Sequence, residues 1–77
     1  MVFEQVQNSI ADIMSCDPNA VTMDTNLQDD LGVDSVDSVE LVMALEEIYG
    51  LTISDEQAAQ LKTVADVVEF IEEATEA

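Results

Sequence analysis

The chain contains no histidine and no arginine, and it has one lysine, one cysteine and one proline. Without histidine there is no Ser–His or Cys–His pair for nucleophilic catalysis and no Cys/His set for zinc. Cys16 alone cannot form an internal disulfide, and an unpaired thiol fits a reducing compartment. Lys62 is the only cation against eighteen aspartates and glutamates, for a formal net charge of −17 at pH 7. Nucleic acid and anionic membranes are bound through basic surfaces, so neither is expected as a partner. Such a charge instead steers basic partners inward, at rates that fall with added salt. No apolar run approaches the ~20 residues that span a bilayer. Met1-Val2-Phe3-Glu4 is neither basic nor the start of a long apolar leader. The expectation is a soluble, cytoplasmic protein with no membrane insertion.

What is present is a small, patterned core. Seventy-seven residues make one domain, 1–77, of a size whose core supplies only ~3–5 kcal/mol unless something staples it. High net charge can keep a chain unfolded. Here 48% of the residues are hydrophobic and they recur at helical spacing, which argues for packing.

Phe3, Val6, Ile10 and Ile13 form one such stripe and predict a first helix over about residues 2–15, with Glu4, Gln5, Gln7, Asn8 and Asp12 on its other faces. Asp17-Pro18-Asn19 is expected to end it, because proline disfavours a helical conformation in the residue before it. Residues 16–33 show no sustained period and read as a long loop. Val21, Met23, Leu27 and Leu31 are expected to tuck onto the bundle, with a helical turn around Asn26–Leu31 ending at Gly32. The second helix spans about 35–49, starting at Asp34 or Ser35 and stopping at Gly50. Ser54-Asp55-Glu56-Gln57 is a capping box and opens a short third helix over about 55–61, with Ile53 and Ala58 as a hydrophobic staple. Thr63-Val64-Ala65-Asp66 opens a fourth over about 64–74, striped by Val64, Val67, Val68 and Ile71 with Phe70 beside it. The acidic tail Glu72-Glu73-Ala74-Thr75-Glu76-Ala77 is expected to fray. The fold class is all-α: a small four-helix bundle with a long loop between the first two helices and a short third helix.

The second helix carries two apolar stripes. Leu41, Ala44, Leu45 and Ile48 cluster on one side at ~100° per residue, and Val36, Val39 and Met43 on nearly the opposite side. A bundle this small buries only one, and the larger residues are expected to face inward. The second stripe, edged by Glu40, Glu46 and Glu47, then suits a partner with an apolar groove rimmed by Arg or Lys. The alternative is that it packs against the long loop or against a second copy of the chain. Ser35 stands at the start of the same face. A serine there is by itself a helix cap, but Asp34 can cap instead, and a loop with Gly32 presents the hydroxyl outward. No base is at hand to make Ser35 a nucleophile, so it suits modification by another enzyme better than catalysis. Ser38 is the competing hydroxyl, one turn on and nearer the core stripe.

The run Asp30-Leu31-Gly32-Val33-Asp34-Ser35, followed by Val36-Asp37-Ser38-Val39-Glu40-Leu41, resembles the attachment motif of the acyl carrier proteins. The similarity continues through Val42-Met43-Ala44-Leu45-Glu46-Glu47 and from Ile53 to Ala58 and Thr63-Val64, and covers nearly the whole chain. The Leu-Gly-x-Asp-Ser frame is its specific part. The resemblance implies a freestanding fatty-acid-synthesis carrier, not itself an enzyme. It implies 4′-phosphopantetheine joined to Ser35 through a phosphodiester by a magnesium-dependent phosphopantetheinyl transferase, with acyl chains carried as thioesters. Asp34 maps to the residue that helps hold the transferase's metal, and the chain has no metal of its own. Val36, Asp37, Val39, Glu40, Met43, Glu46 and Glu47 map to the partner-binding helix. The partners implied are acyl transferase, ketoacyl synthase, reductase and dehydratase enzymes with basic docking patches, met by a monomer. Leu45 and Ile53 map to a lining that shelters the acyl chain. Val36 stands where the family usually has leucine, which shortens a docking contact, and Ser38 where threonine is more usual.

Other readings are a polyketide or specialised acyl carrier, and an acidic helix-groove interaction module without cofactor. The Gly-Gly-x-Ser form common in peptide-synthesis carriers is absent. A calcium loop is disfavoured: the frame beginning at Asp24 has Asp29 where glycine is needed and Ser35 where a bidentate glutamate is needed.

Overall fold

A computed structural model describes residues 2–75. Four helices follow one another: α1 (Val2–Met14), α2 (Ser35–Tyr49), α3 (Asp55–Ala59) and α4 (Val64–Thr75), with one 3₁₀ turn at Pro18–Ala20. Among the described residues there is no strand, only an isolated bridge between Asn26 and Thr63. The architecture is the expected all-α bundle with a long first loop. Its core joins Val6 and Ile10 of α1, Leu41 and Leu45 of α2, and Val64, Val67, Val68 and Ile71 of α4, with Val21, Leu27, Val33 and Ile53 from the connections. Ile10, Leu45 and Ile71 are the largest side chains fully removed from water, and cutting any one to alanine costs ~2–5 kcal/mol.

Local sequence explains most helix ends, with differences in the reasons. Pro18 does not stop α1. Ser15 does so first by turning left-handed (φ 53°), which lets the Cys16 N–H bond the Ala11 carbonyl at 3.0 Å in the six-to-one pattern of a Schellman cap. Pro18 instead opens the 3₁₀ turn, capped by the Asp17 carboxylate. At the end of α2, Gly50 takes the left-handed conformation (φ 64°) and the Leu51 N–H reaches the Glu46 carbonyl at 3.2 Å. α3 ends at Ala59 and not near Leu61, because the Gln60 and Leu61 N–H groups bond three residues back, to Gln57 and Ala58, and tighten the last turn out of α geometry. α4 runs on to Thr75, whose hydroxyl donates to the Ile71 carbonyl at 2.8 Å, so Glu72–Thr75 is helical and not frayed. Residues 76–77 of the acidic tail lie outside the described residues.

The long loop is stitched down, not slack. Gln7 of α1, expected on a solvent face, donates its amide to the carbonyls of Pro18 (2.7 Å) and Val21 (2.9 Å). Buried Thr25 takes up the Thr22 N–H through its hydroxyl at 2.9 Å. Asn26 accepts from the N–H groups of Gln28 and Asp29, and the Asp30 and Gly32 N–H groups bond four residues back, which makes the turn at Asn26–Leu31. The loop also serves α4. The first N–H groups of a helix lack partners within it, and those of Val64 and Ala65 donate to the carbonyls of Thr25 and Met23, each at 3.0 Å. Met23 thus contributes its carbonyl while its side chain stays exposed, contrary to the expected tucking. Val21 and Leu27 are buried and Leu31 is half-buried.

α2 is rotated from its expected setting. Ile48 is 46% exposed and Ala44 only half-buried, whereas Val42 and Tyr49 are half-buried beside Leu41 and Leu45. The inward stripe is therefore Ser38–Leu41–Val42–Leu45–Tyr49. Side-chain size did not decide the rotation. α2 packs mainly against α1 and shares a seam with Ala58, Leu61 and Val67, and burial centres between Leu41 and Val42.

Candidate functional site

The N-terminus of α2 is built by a reciprocal pair of aspartates. Asp34 is extended (φ −97°, ψ −172°) and its carboxylate accepts the Asp37 N–H at 2.9 Å, while the Asp37 carboxylate accepts the Asp34 N–H at 3.4 Å. This is a capping box with acids at both ends, and the negative charge suits the positive end of the helix dipole. Its consequence falls on the residue between them. Asp34 does the capping, so Ser35, the first residue of α2, is relieved of that role and stays exposed.

Ser35 opens onto the side of α2 that faces α3. A cavity of about 400 Å³ is lined by Ser35 and Ser38 of α2, Leu27 and Gln28 of the loop, and Asp55, Ala58, Ala59, Leu61 and Lys62. A second recess of about 240 Å³ continues along α2 between Ser38, Val39, Val42, Met43 and Glu46 on one wall and Ile53, Asp55 and Ala58 on the other. Adjoining both is a narrow, largely apolar seam of only about 20 Å³ lined by Leu41, Val42, Leu45, Leu61 and Val67. Ser38 and Ala58 border all three spaces, so the serine that competed with Ser35 in the sequence is a wall residue. α3 is the far wall. It holds no fully buried residue, and its capping box (Gln57 N–H to the Ser54 hydroxyl at 3.1 Å, Ser54 N–H to the Gln57 amide at 3.0 Å) fixes its start.

The face proposed for docking divides in two. Val36, Val39 and Met43 are 66%, 57% and 61% exposed. At 3.6 residues per turn, Val36, Glu40, Met43 and Glu47 form one outward row, from which Met43 also reaches the recess, while Ser35, Val39 and Glu46 form the edge turned toward α3. The carboxylates are not equivalent. Glu40 and Glu47 stand exposed, Asp37 is committed to the cap, and Glu46 is half-buried with an oxygen accepting the Ile53 N–H at 2.7 Å. That use of Glu46 had no signal in the sequence, since the two residues lie on either side of a turn. Lys62 is distant from Ser35 in the chain, but the fold sets it on the cavity that Ser35 lines.

These features define a small helical domain with an exposed hydroxyl at a helix start. Residues 4–71 match the family of the phosphopantetheine attachment site. The chain is 50% identical over 70 residues to an acyl carrier protein of Thermosynechococcus vestitus, covering 91% of this chain and 86% of that one. It is 49% identical over 75 residues to an acyl carrier protein of Clostridium perfringens, covering 97% and 99%. A solved structure from Mycobacterium tuberculosis, assigned as an acyl carrier protein, superimposes with a TM-score of 0.84 at 33% identity, covering 90% of this chain and 92% of that one. The chain belongs to the acyl carrier protein family, and its prosthetic group is a covalent 4′-phosphopantetheine. Membership brings interaction with a phosphopantetheinyl transferase and with acyl-handling enzymes. No helix of the described residues is long and apolar enough to cross a membrane.

Proposed function

We propose that Ser35 is the attachment point of 4′-phosphopantetheine and that the chain carries growing acyl groups to separate enzymes of fatty-acid biosynthesis in the cytoplasm. The observation that carries this is the Asp34–Asp37 capping box, which leaves the Ser35 hydroxyl exposed at the rim of the α2–α3 cavity. The residues fit the group. A phosphodiester at Ser35 stands in water at the helix start, and the adjoining walls turn apolar inward at Ile53, Ala58 and Leu45. The bound group supplies a terminal thiol that holds acyl chains as activated thioesters. The chain's own residues present it. Asp34 is exposed beside Ser35, where its carboxylate can help hold the transferase's magnesium. Val36, Val39 and Met43 offer an apolar strip, and Glu40 and Glu47 meet cations at a partner's rim, with Asp37 and Glu46 at its edges. A tether that docks by this face makes each later encounter effectively intramolecular. The relatives are carriers, and on this reading the chain itself is acted on by separate enzymes and is not a catalyst.

Intact mass after incubation with a phosphopantetheinyl transferase, magnesium and coenzyme A tests the site. Wild type and Ser38→Ala gain the mass of the arm and Ser35→Ala does not; a gain by Ser35→Ala sinks the assignment. Acylation by a panel of fatty-acid and polyketide synthase components, read by mass, tests the pathway. Preferential transfer by polyketide components overturns the fatty-acid assignment.

A further inference from the structure

Lys62 is the one cation of the chain, and it lines the same cavity of about 400 Å³ as Ser35. Its position is not incidental to a flexible tail. The Lys62 N–H donates to the Asp66 carboxylate at 3.1 Å and its carbonyl accepts the Leu27 N–H at 2.9 Å. The root of the side chain is thus pinned between the cap of α4 and the long loop, with its flexible stem free to sweep the cavity. Every other charge near Ser35 is negative: Asp34 and Asp37 flank it in the cap, and Asp55 lines the cavity. A phosphodiester on Ser35 adds a further negative charge, and Lys62 is the only side chain of the protein able to offset it.

We infer that the Lys62 ammonium pairs with the phosphodiester on Ser35 and holds the first segment of the arm over the α2–α3 cavity. This rests on Ser35 being the attachment point. Lys62 acts as a positioning residue: it biases the resting arm toward Ala58 and Leu61 and away from Val36. The pair is exposed, so it weakens with salt and yields to the basic rim of a docking enzyme. Loading and release of the arm are then linked to a single competition for the phosphate.

The test uses the holo protein and NMR. Phosphorus–proton correlation first locates the phosphodiester on the Ser35 β-protons; its absence there overturns the attachment assignment. With the arm on Ser35, the single lysine gives an unambiguous ε-methylene signal. Expected are nuclear Overhauser contacts from it to the geminal methyls of the arm, and a phosphorus shift that moves in Lys62→Met and returns toward wild type in Lys62→Arg. Contacts missing in wild type, with an identical phosphorus shift in Lys62→Met, overturn the role of Lys62 and leave the attachment site standing. Thermal melts of the apo proteins accompany the series. Lys62 makes its structural hydrogen bonds through main-chain atoms, so Lys62→Arg is expected to melt with wild type and Lys62→Met, which removes the one cation, to melt slightly below it and still fold.

Discussion

The Glu46 carboxylate accepts the Ile53 main-chain N–H at 2.7 Å and so ties the last turn of α2 to the residue before the Ser54 cap of α3. Ile53 is buried and lines the recess beside α2, as Glu46 does. One side chain of the expected docking face is therefore also a strut of the wall opposite.

Glu46→Ala is expected to lower stability by ~1.5–3 kcal/mol, the range for a hydrogen bond to a charged group. Glu46→Gln retains an acceptor and costs less. Chemical denaturation measures both. Faster exchange of the Ile53 amide hydrogen in Glu46→Ala identifies the strut. If the alanine variant loses partner binding at unchanged stability, Glu46 acts only at the docking face.

The outward row gives the opposite signature. Val36→Ala and Met43→Ala remove exposed apolar contact area, so the melting temperature stays within about 0.5 kcal/mol of wild type in free-energy terms. Acyl transfer by a docking enzyme is expected to fall about five- to ten-fold in kcat/KM, equivalent to ~1 kcal/mol or slightly more of lost contact. Glu40→Gln and Glu47→Gln should act on the association rate and its salt dependence. Steady-state kinetics at two ionic strengths distinguishes the two sets.

Tyr49 carries a buried hydroxyl with no hydrogen-bond partner among the described residues, and burial pushes its phenol above the ordinary value of 10.0. The folded chain holds that proton more tightly than the unfolded chain. The stability tied to it is fully present below pH 10.0 and is lost as pH rises through the folded value. Tyr49→Phe removes an unsatisfied group and is expected to leave stability at neutral pH unchanged or raise it by ~1 kcal/mol. It should also abolish this alkaline component. Tyr49 is the only tyrosine, so tyrosinate absorbance titrates it alone.

Like-charge repulsion at a net charge of −17 opposes compaction and is screened by ions. Magnesium chloride is therefore expected to raise the melting temperature, by roughly 4–8 °C for each ~1 kcal/mol gained in a domain of this size. A melting temperature flat across a magnesium titration contradicts this.

How far the residues could be read divides along the range of the interactions. The stripe of α4 (Val64, Val67, Val68, Ile71) and the capping boxes at Ser54–Gln57 and Thr63–Asp66 were legible because partners three or four residues apart meet as soon as a helix forms. The left-handed Ser15 was not, since nothing in a serine announces that conformation. The inward stripe of Leu41 and Leu45 and the outward one of Val36, Val39 and Met43 were legible too. The exposure of Ile48 and the packing of Val42 and Tyr49 on the core were not, because the neighbouring elements set the exact angle of α2.

By itself the sequence determined an acidic all-α bundle, the starts of its helices, and a serine placed behind an aspartate at the head of α2. All of these follow from periodicity, capping and charge, which are local or summed properties. Only the tertiary structure decided the exact angle at which α2 sits, that Glu46 braces Ile53, that carbonyls of the long loop cap α4, and that the single lysine lines the cavity of Ser35. Each joins residues distant in the chain, and their meeting depends on how the helices pack around one shared core.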